Sequence, residues 1–568
     1  MDKKLKGLLS QAIVDEDVRK ELIAQVKTTV GKFISDEGKA AFQAAMVDSE
    51  ARDALMKKMA ADPIVGGLVQ KAASTETKAA MAAQFKKKSK GNIKDQWVDF
   101  KYWMKAWKVC MHQPSDPVDK AKMKLAQMEY PWMIDLMKTV SMGKRYTEGR
   151  TGTALVMSWK TILLQAAATI ESLNNVFCDP ENTILAQIMV PTQIYKAMDL
   201  KYFCAETPAN ILIMMDQHCH EKYIDEVVNH GLPDDTCNYA SQTPGVALAG
   251  HLPNPGTAMI CSNLPCEAGF SSYAIVESEL DIPTYRLDVP YNFKTAEDRE
   301  AYVKDMMGMI AFLEEKTGHK MDWDKLRKVC EDTNKLGEIE LERWEMNRSE
   351  HPPICNDMLW FPHLCFFSMD AGRADAVPLF EELQKLGRRA YRNKECSVKP
   401  LKYRVILWNP PTFGYTYFWS WMERCWGIGV VQDMETYGPI NVIDTTSPET
   451  MLEGLALQWC NAAMSRHTRG PAENWLGDIA KLTEMYRPDF ILNLNHMGCR
   501  SSLGLTGAMK EWANDNNIPC CIVDYSMYDS RVVSRQGIRD QINNFMQNIM
   551  HAEPLDPSLL VFDDDNAW

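Results

Sequence analysis

Pro488-Asp489-Phe490-Ile491-Leu492-Asn493-Leu494-Asn495-His496-Met497-Gly498-Cys499-Arg500 is the stretch from which the fold is read. Its first half, Pro488 to Leu494, is short and mostly apolar, which is the pattern of a parallel strand buried on both faces. Ser501 to Asn514 follows with helical character and no proline. The Gly498-Cys499 pair therefore sits at a strand-to-helix turn, with its thiol at the carboxyl edge of a sheet. Open α/β sheets bind their ligands at that edge. A helix N-terminus just after the thiol favours its ionised form.

The rest of the chain has to be consistent with such a sheet. At 568 residues it is too long for one ordinary core and calls for two to four domains. A formal net charge of −13 argues against a nucleic-acid partner, which would need clustered positive charge. An anionic cofactor needs only a local basic pocket, so charge does not exclude one. The most apolar runs, such as Ile184–Val190, fall far short of the ~20 residues of a membrane-crossing helix. Near the N-terminus, Asp15, Glu16 and Asp17 interrupt any signal-peptide core. The expectation is a cytoplasmic protein with no membrane span. In that compartment the sixteen cysteines stay reduced, as buried small hydrophobes or as metal ligands.

Four segments are expected. Residues 1–150 form a helical N-terminal extension, with short amphipathic helices over 1–90 and a solvated connector at Lys86–Gly91. Trp97, Phe100, Tyr102, Trp103, Trp107, Tyr130 and Trp132 then pack helices onto the α/β domains. Residues 151–300 form a first α/β domain, with strand-like runs at Ile184–Val190, Thr257–Cys261 and Ile282–Asp288. Between them, the apolar run Asn210–Met215 leads towards His218, Cys219 and His220, and the turn Gly231–Tyr239 delivers Cys237. Residues 301–395 are a helical connector. Residues 396–568 form a second α/β domain, with strands at Tyr403–Trp408, Gly427–Val431, Pro488–Leu494 and Ile518–Asp524. The fold class is α/β: two similar Rossmann-like or flavodoxin-like parallel-sheet domains, with the helical extension and connector added.

The two domains share a short internal repeat. Cys266 ends a strand, a helix follows, and Ile282-Pro283 precedes Asp288 by five residues counted from the proline. Cys499 ends a strand, a helix follows, and Ile518-Pro519 precedes Asp524 by the same interval. Each domain thus presents a cysteine at its carboxyl edge.

Cys237, Cys266 and Cys499 form the candidate constellation, two from the first domain and one from the second. Three thiols on such loops suit an iron–sulfur cluster with one iron left open, since clusters ordinarily take four cysteines. Buried or incidental cysteines are the competing reading, and no compact Cys-x-x-Cys pair decides between them.

Several motifs then resemble one known family. Ile188–Ala197, Gly231–Tyr239, Leu252-Pro253, the Cys266 turn, Ile282-Pro283 and Leu287–Tyr291 are similar to the first domain of the 2-hydroxyacyl-CoA dehydratase and benzoyl-CoA reductase family. Asn495–Arg500, Ile518-Pro519, Asp524, Asp529-Ser530-Arg531 and Gly537–Phe545 are similar to its second domain. The resemblance spans about 155–552 and leaves the long N-terminal extension without a role. It implies a catalytic subunit holding a [4Fe-4S] cluster through three cysteines, here Cys237, Cys266 and Cys499. It also implies an acyl-CoA substrate, a related second catalytic subunit, and a separate ATP-hydrolysing iron–sulfur activator. No GxxxxGK[ST] phosphate loop occurs in this chain, as expected if ATP is hydrolysed elsewhere.

The favoured reaction under this resemblance is dehydration of an (R)-2-hydroxyacyl-CoA through a ketyl radical. Reduction of a benzoyl-CoA-type ring is the alternative, and the aromatic loop Phe413–Trp419 would suit an aromatic pocket or a core equally. A non-catalytic partner or electron-transfer subunit is the alternative of another class. Among other residues, His496 is a candidate hydrogen-bond partner of substrate or cluster, with a structural donor as the plainer reading, and Arg500 is a candidate anion clamp or a surface salt bridge. Asp529 and Arg531 read as caps of the terminal helix region or as an internal pair. His218 and His220 stand two apart, so on a helix they face different ways and form no metal site with Cys219.

Overall fold

The computed structural model describes residues 93–563 apart from 111–113, 131, 134–141, 292, 413, 463 and 469. The amphipathic helices expected over 1–90 and the Lys86–Gly91 connector lie outside the described residues. Two compact units are present. Residues 114–133 belong to one of them, where Asp116 caps helix Pro117–Glu129 by accepting the Val118 and Asp119 N–H groups at 2.7 and 3.2 Å. Residues 93–110 and 142–563 belong to the other, which carries both sheets.

Eight strands make these sheets: β1 Thr183–Ala186, β2 Lys201–Cys204, β3 Met259–Ser262, β4 Thr284–Leu287, β5 Tyr403–Trp408, β6 Ile428–Asp433, β7 Phe490–His496 and β8 Cys520–Tyr525. Both sheets are four-stranded and wholly parallel, ordered β2-β1-β3-β4 and β6-β5-β7-β8. Counted within each half, the order is identical: second, first, third, fourth. This is the beginning of the flavodoxin-like order, with its switch point between the first and third strands. The expected pair of parallel-sheet domains is therefore present.

Burial explains why these segments are strands. β1, β3, β6 and β7 are buried at every position, so both faces demand apolar side chains. At the sheet edges β4 and β8 are only partly buried, and they carry Arg286 and Asp524. The expected strand at Ile184–Val190 stops at Ala186. There the Gln187 side chain takes over, accepting the Ser262 N–H and donating to the Leu264 carbonyl, each at 2.8 Å. Strand β2 is an addition to the expected set, and the apolar run Asn210–Met215 lies on helix Thr207–Met215.

The internal repeat is real in space. Cys266 and Cys499 each follow the third strand of their sheet, and each Ile-Pro immediately precedes the fourth. The match extends to an asparagine–aspartate pair that the sequence repeat does not include. Asn263 donates to Asp288 at 2.8 Å in one half, and Asn495 donates to Asp524 at 2.6 Å in the other.

A helix from the second half completes the core of the first sheet. Helix Pro448–Asn461 lies between β6 and β7 in sequence, yet Trp459 and Leu455 pack with Ile184 and Ile260 of the first sheet. Between β4 and β5 run helices Ala296–Thr317, Trp323–Asn347, Asp357–His363 and Ala376–Arg392. Helix Ile93–Cys110 buries Trp103, as an aromatic packing face should, but Trp97 and Phe100 are exposed and stand edge to face 5.9 Å apart. Among the described residues one helix, Gly152–Cys178, is long and apolar enough to reach across a membrane, and half of its apolar window is buried within the fold.

Candidate active site

Three helices begin at the three candidate cysteines. Cys237 caps α1 (Asn238–Leu248), Cys266 caps α2 (Glu267–Leu280) and Cys499 caps α3 (Arg500–Asp515). A helix N-terminus offers N–H groups without intrahelical partners, and two of the thiols use them. The Cys237 sulfur meets the N–H groups of Tyr239 and Ala240, and the Cys266 sulfur those of Ala268 and Gly269.

All three thiols line one cavity of about 220 Å³ at the carboxyl edges of the sheets. Cys237 reaches it because its loop is clamped to the second half. Asn238 accepts the Tyr528 N–H at 3.2 Å and donates to Ser526, while Tyr239 stacks on Tyr528 at 5.5 Å. Gly498 lets the turn before Cys499 approach this loop. Its φ is +98°, and a Cβ there would lie 3.1 Å from the Cys237 Cα.

Burial pushes the Cys237 thiol well above its usual range, and the nearby Cys499 and Cys266 sulfurs push it further. Cys266 is raised to about 11, again chiefly by burial. Without a cation these sulfurs keep their protons; a metal would displace them. Thiolates are soft ligands that suit iron and zinc. Among the described residues, however, no three His, Cys, Asp or Glu side chains gather as ligands of a metal ion. The sulfurs line the cavity without being drawn to one point.

His496 ends β7 in the cavity wall and is buried. Its Nε2 lies 3.2 Å from the Cys237 sulfur, and its Nδ1 accepts the Met527 N–H at 3.3 Å. Burial holds its pKa near 4, so the ring is neutral at neutral pH. Arg500 stands on the rim, exposed.

The remaining sequence candidates lie elsewhere. Arg531 pairs with Asp529 and Asp225, each at 2.8 Å, which is the internal pairing expected. His220 is buried with Nε2 against the Ala209 carbonyl at 2.8 Å, while His218 lies on the surface beside Glu221 and Ser530. They share no site. From the aromatic loop, Tyr415, Tyr417, Phe418 and Trp419 are buried in the core and none lines the cavity.

Sequence reasoning missed Glu206. It follows β2, lines the same cavity, is almost wholly buried, and accepts a hydrogen bond from the Cys204 thiol at 3.3 Å. Burial raises its pKa to about 7, so it can hold or release a proton near neutrality. Its only signal in the sequence is Ala205-Glu206-Thr207-Pro208, a strand-end tetrapeptide after a strand too short to recognise.

The family described as "2-hydroxyglutaryl-CoA dehydratase, D-component" matches residues 187–549, the region that carries every strand from β2 to β8. The alpha subunit of (R)-phenyllactyl-CoA dehydratase from Clostridium sporogenes is 28% identical over 180 residues, 29% of this chain and 44% of that protein. Subunit alpha of (R)-2-hydroxyglutaryl-CoA dehydratase from Acidaminococcus fermentans is 28% identical over 137 residues, 24% of this chain and 28% of that protein. The alpha subunit of (R)-2-hydroxyisocaproyl-CoA dehydratase from Clostridioides difficile is 24% identical over 200 residues, 33% of this chain and 47% of that protein. The chain thus spans less than half the length of each of these relatives.

Proposed function

Since the chain belongs to the 2-hydroxyglutaryl-CoA dehydratase D-component family, we propose that it is a catalytic subunit of a 2-hydroxyacyl-CoA dehydratase. The observation that carries this reading is the convergence of Cys237, Cys266 and Cys499, from two different sheets, on one cavity. Three half-buried thiols that face a common space without focusing on a point fit a cluster of several irons better than a single ion. They would hold a [4Fe-4S] cluster with one iron open, because only three protein sulfurs are supplied. Bound there, such a cluster would supply one low-potential electron to the thioester carbonyl, labilising the 2-hydroxyl and acidifying the neighbouring carbon, and would take the electron back as the enoyl thioester forms.

The chain's own residues supply the rest. Ile188, Pro410, Met464 and Met527 give the cavity apolar walls that exclude water. Glu206 is the group placed to take the proton that becomes acidic, through its carboxylate, and to return it to the departing hydroxyl. Arg500, at the rim, suits an anionic group such as the CoA phosphates. The relatives are named as alpha subunits, which supports a related second subunit here. An ATP-hydrolysing activator completes the proposal.

Anaerobic iron and sulfide analysis with EPR, on wild type and Cys499→Ala, tests this. About four irons per chain are expected in wild type, with a sharp fall in the variant. Reconstituted wild type free of metal would overturn the catalytic reading and leave a non-catalytic partner subunit. With the cluster established, turnover of a panel of (R)-2-hydroxyacyl-CoA thioesters identifies the acyl group.

A further inference from the structure

The histidine beside the thiols is engaged at both ring nitrogens. The Met527 N–H points at Nδ1 over 3.3 Å, which calls for a lone pair there. The Tyr525 carbonyl, which accepts the Met497 N–H at 2.8 Å, also lies against the ring and is the competing partner for a ring N–H. A neutral imidazole with Nδ1 accepting carries its proton on Nε2, and Nε2 is the atom 3.2 Å from the Cys237 sulfur. Both ring nitrogens are thereby engaged, one by backbone and one by a candidate ligand. The Tyr525 ring, 5.4 Å away, helps fix the imidazole plane.

We propose that His496 is a positioning residue whose Nε2–H donates to the Cys237 sulfur and so raises the reduction potential of the cluster held there. The inference rests on the cluster reading proposed for this cavity and names one residue's part in it. Hydrogen bonds to cluster sulfurs are among the factors that set such potentials. One-electron reduction adds negative charge, part of it on the thiolate, so a donor at that sulfur stabilises the reduced form more than the oxidised one. No proton moves: the ring is neutral before and after, and the electron comes from the external reductant. The family's chemistry needs a low potential, and His496 keeps it from falling beyond the reach of the electron donor.

The test uses full-length wild type, His496→Leu and His496→Gln, whose amide can reach where Nε2–H stood. Iron and sulfide are counted first. EPR-monitored titration with titanium(III) citrate and mediators then gives each midpoint, and ENDOR in H2O and D2O looks for an exchangeable proton near the cluster. The reduction equilibrium of His496→Leu is expected to fall about tenfold, or ~59 mV for one electron, with loss of one exchangeable proton coupling; His496→Gln should lie close to wild type. Wild type without a cluster would overturn the parent reading. A cluster with unchanged midpoint and proton couplings in His496→Leu would overturn this inference alone. If His496→Leu assembles no cluster, ENDOR on wild type labelled with 15N-histidine decides: a histidine 15N coupling accompanied by an exchangeable proton upholds the assignment, and a spectrum whose exchangeable protons are all accounted for by the backbone N–H groups at Cys237 and Cys266 overturns it.

Discussion

Glu206 shows how burial alone can bring the titration of an ordinary side chain to neutral pH. An unperturbed glutamate is ionised at neutral pH, and this one is held near pKa 7 because almost no water reaches it. Its folded pKa lies above the unfolded value, so the sign of its effect on stability is fixed. Below about pH 4 both states are protonated and nothing is lost; as pH rises towards 7 the unfolded chain ionises first and stability falls. The loss levels off near 3 kcal/mol, on the order of 1.4 kcal/mol per unit. Glu206→Gln should therefore match wild type in urea unfolding at pH 4 or below, exceed it increasingly towards pH 7 and keep a constant margin above that. The same change should cut turnover by ~100-fold or more, the usual weight of a general acid–base group. A variant as active as wild type would remove Glu206 from the chemistry. The conflict between stability and function at one side chain is what a catalytic carboxyl predicts.

At the scale of elements, the strand-to-helix turn is the unit that builds the site, and Gly498 is its tightest point. With φ at +98° and the Cys237 backbone 3.1 Å from where a Cβ would stand, alanine is excluded by conformation and by space together. Gly498→Ala is expected to cost about 1–3 kcal/mol and to push the Cys499 turn away from the Cys237 loop. Iron content should drop even though every sulfur remains, and a variant with full iron content would show that the approach is not needed. These turns are legible in the sequence because Cys266 and Cys499 recur with the same downstream Ile-Pro and aspartate. Long buried strands are equally legible: β5 and β7 are apolar runs bounded by polar turns. Four-residue β2 is not, since so short a run between Asp199 and Ala205 carries no periodicity. Glu206 is lost with it. The partnership of His496 with Met527 is also invisible, because a backbone N–H that meets a side chain leaves no mark in sequence.

At the scale of the whole molecule, the cavity exists only because two sheets with the same strand order are held in one body. The thiols are supplied two to one, so any loosening between the sheets separates Cys499 from the other two. What opposes this is helix Pro448–Asn461 of the second half, which sits in the first sheet's core with Trp459 as its largest side chain. Trp459 is fully buried among first-sheet residues, and its indole N–H donates to Gln193 at 3.2 Å, on the segment just after β1. Arg150 adds a second tie, joining Asp357 and Glu423 with all three side chains buried. Truncating a tryptophan in such a place leaves a cavity and typically costs about 3–5 kcal/mol. Trp459→Ala should lower the unfolding midpoint accordingly, while unfolding remains a single transition, because a helix of the second half fills part of the first sheet's core. It should also reduce iron retention on dilution, although Trp459 does not line the cavity and offers no ligand. Calorimetry and iron analysis on the same samples give both numbers. Two resolved transitions in the variant, with iron retained through the first, would show that the sheets are joined by the site itself and not by the core beneath it.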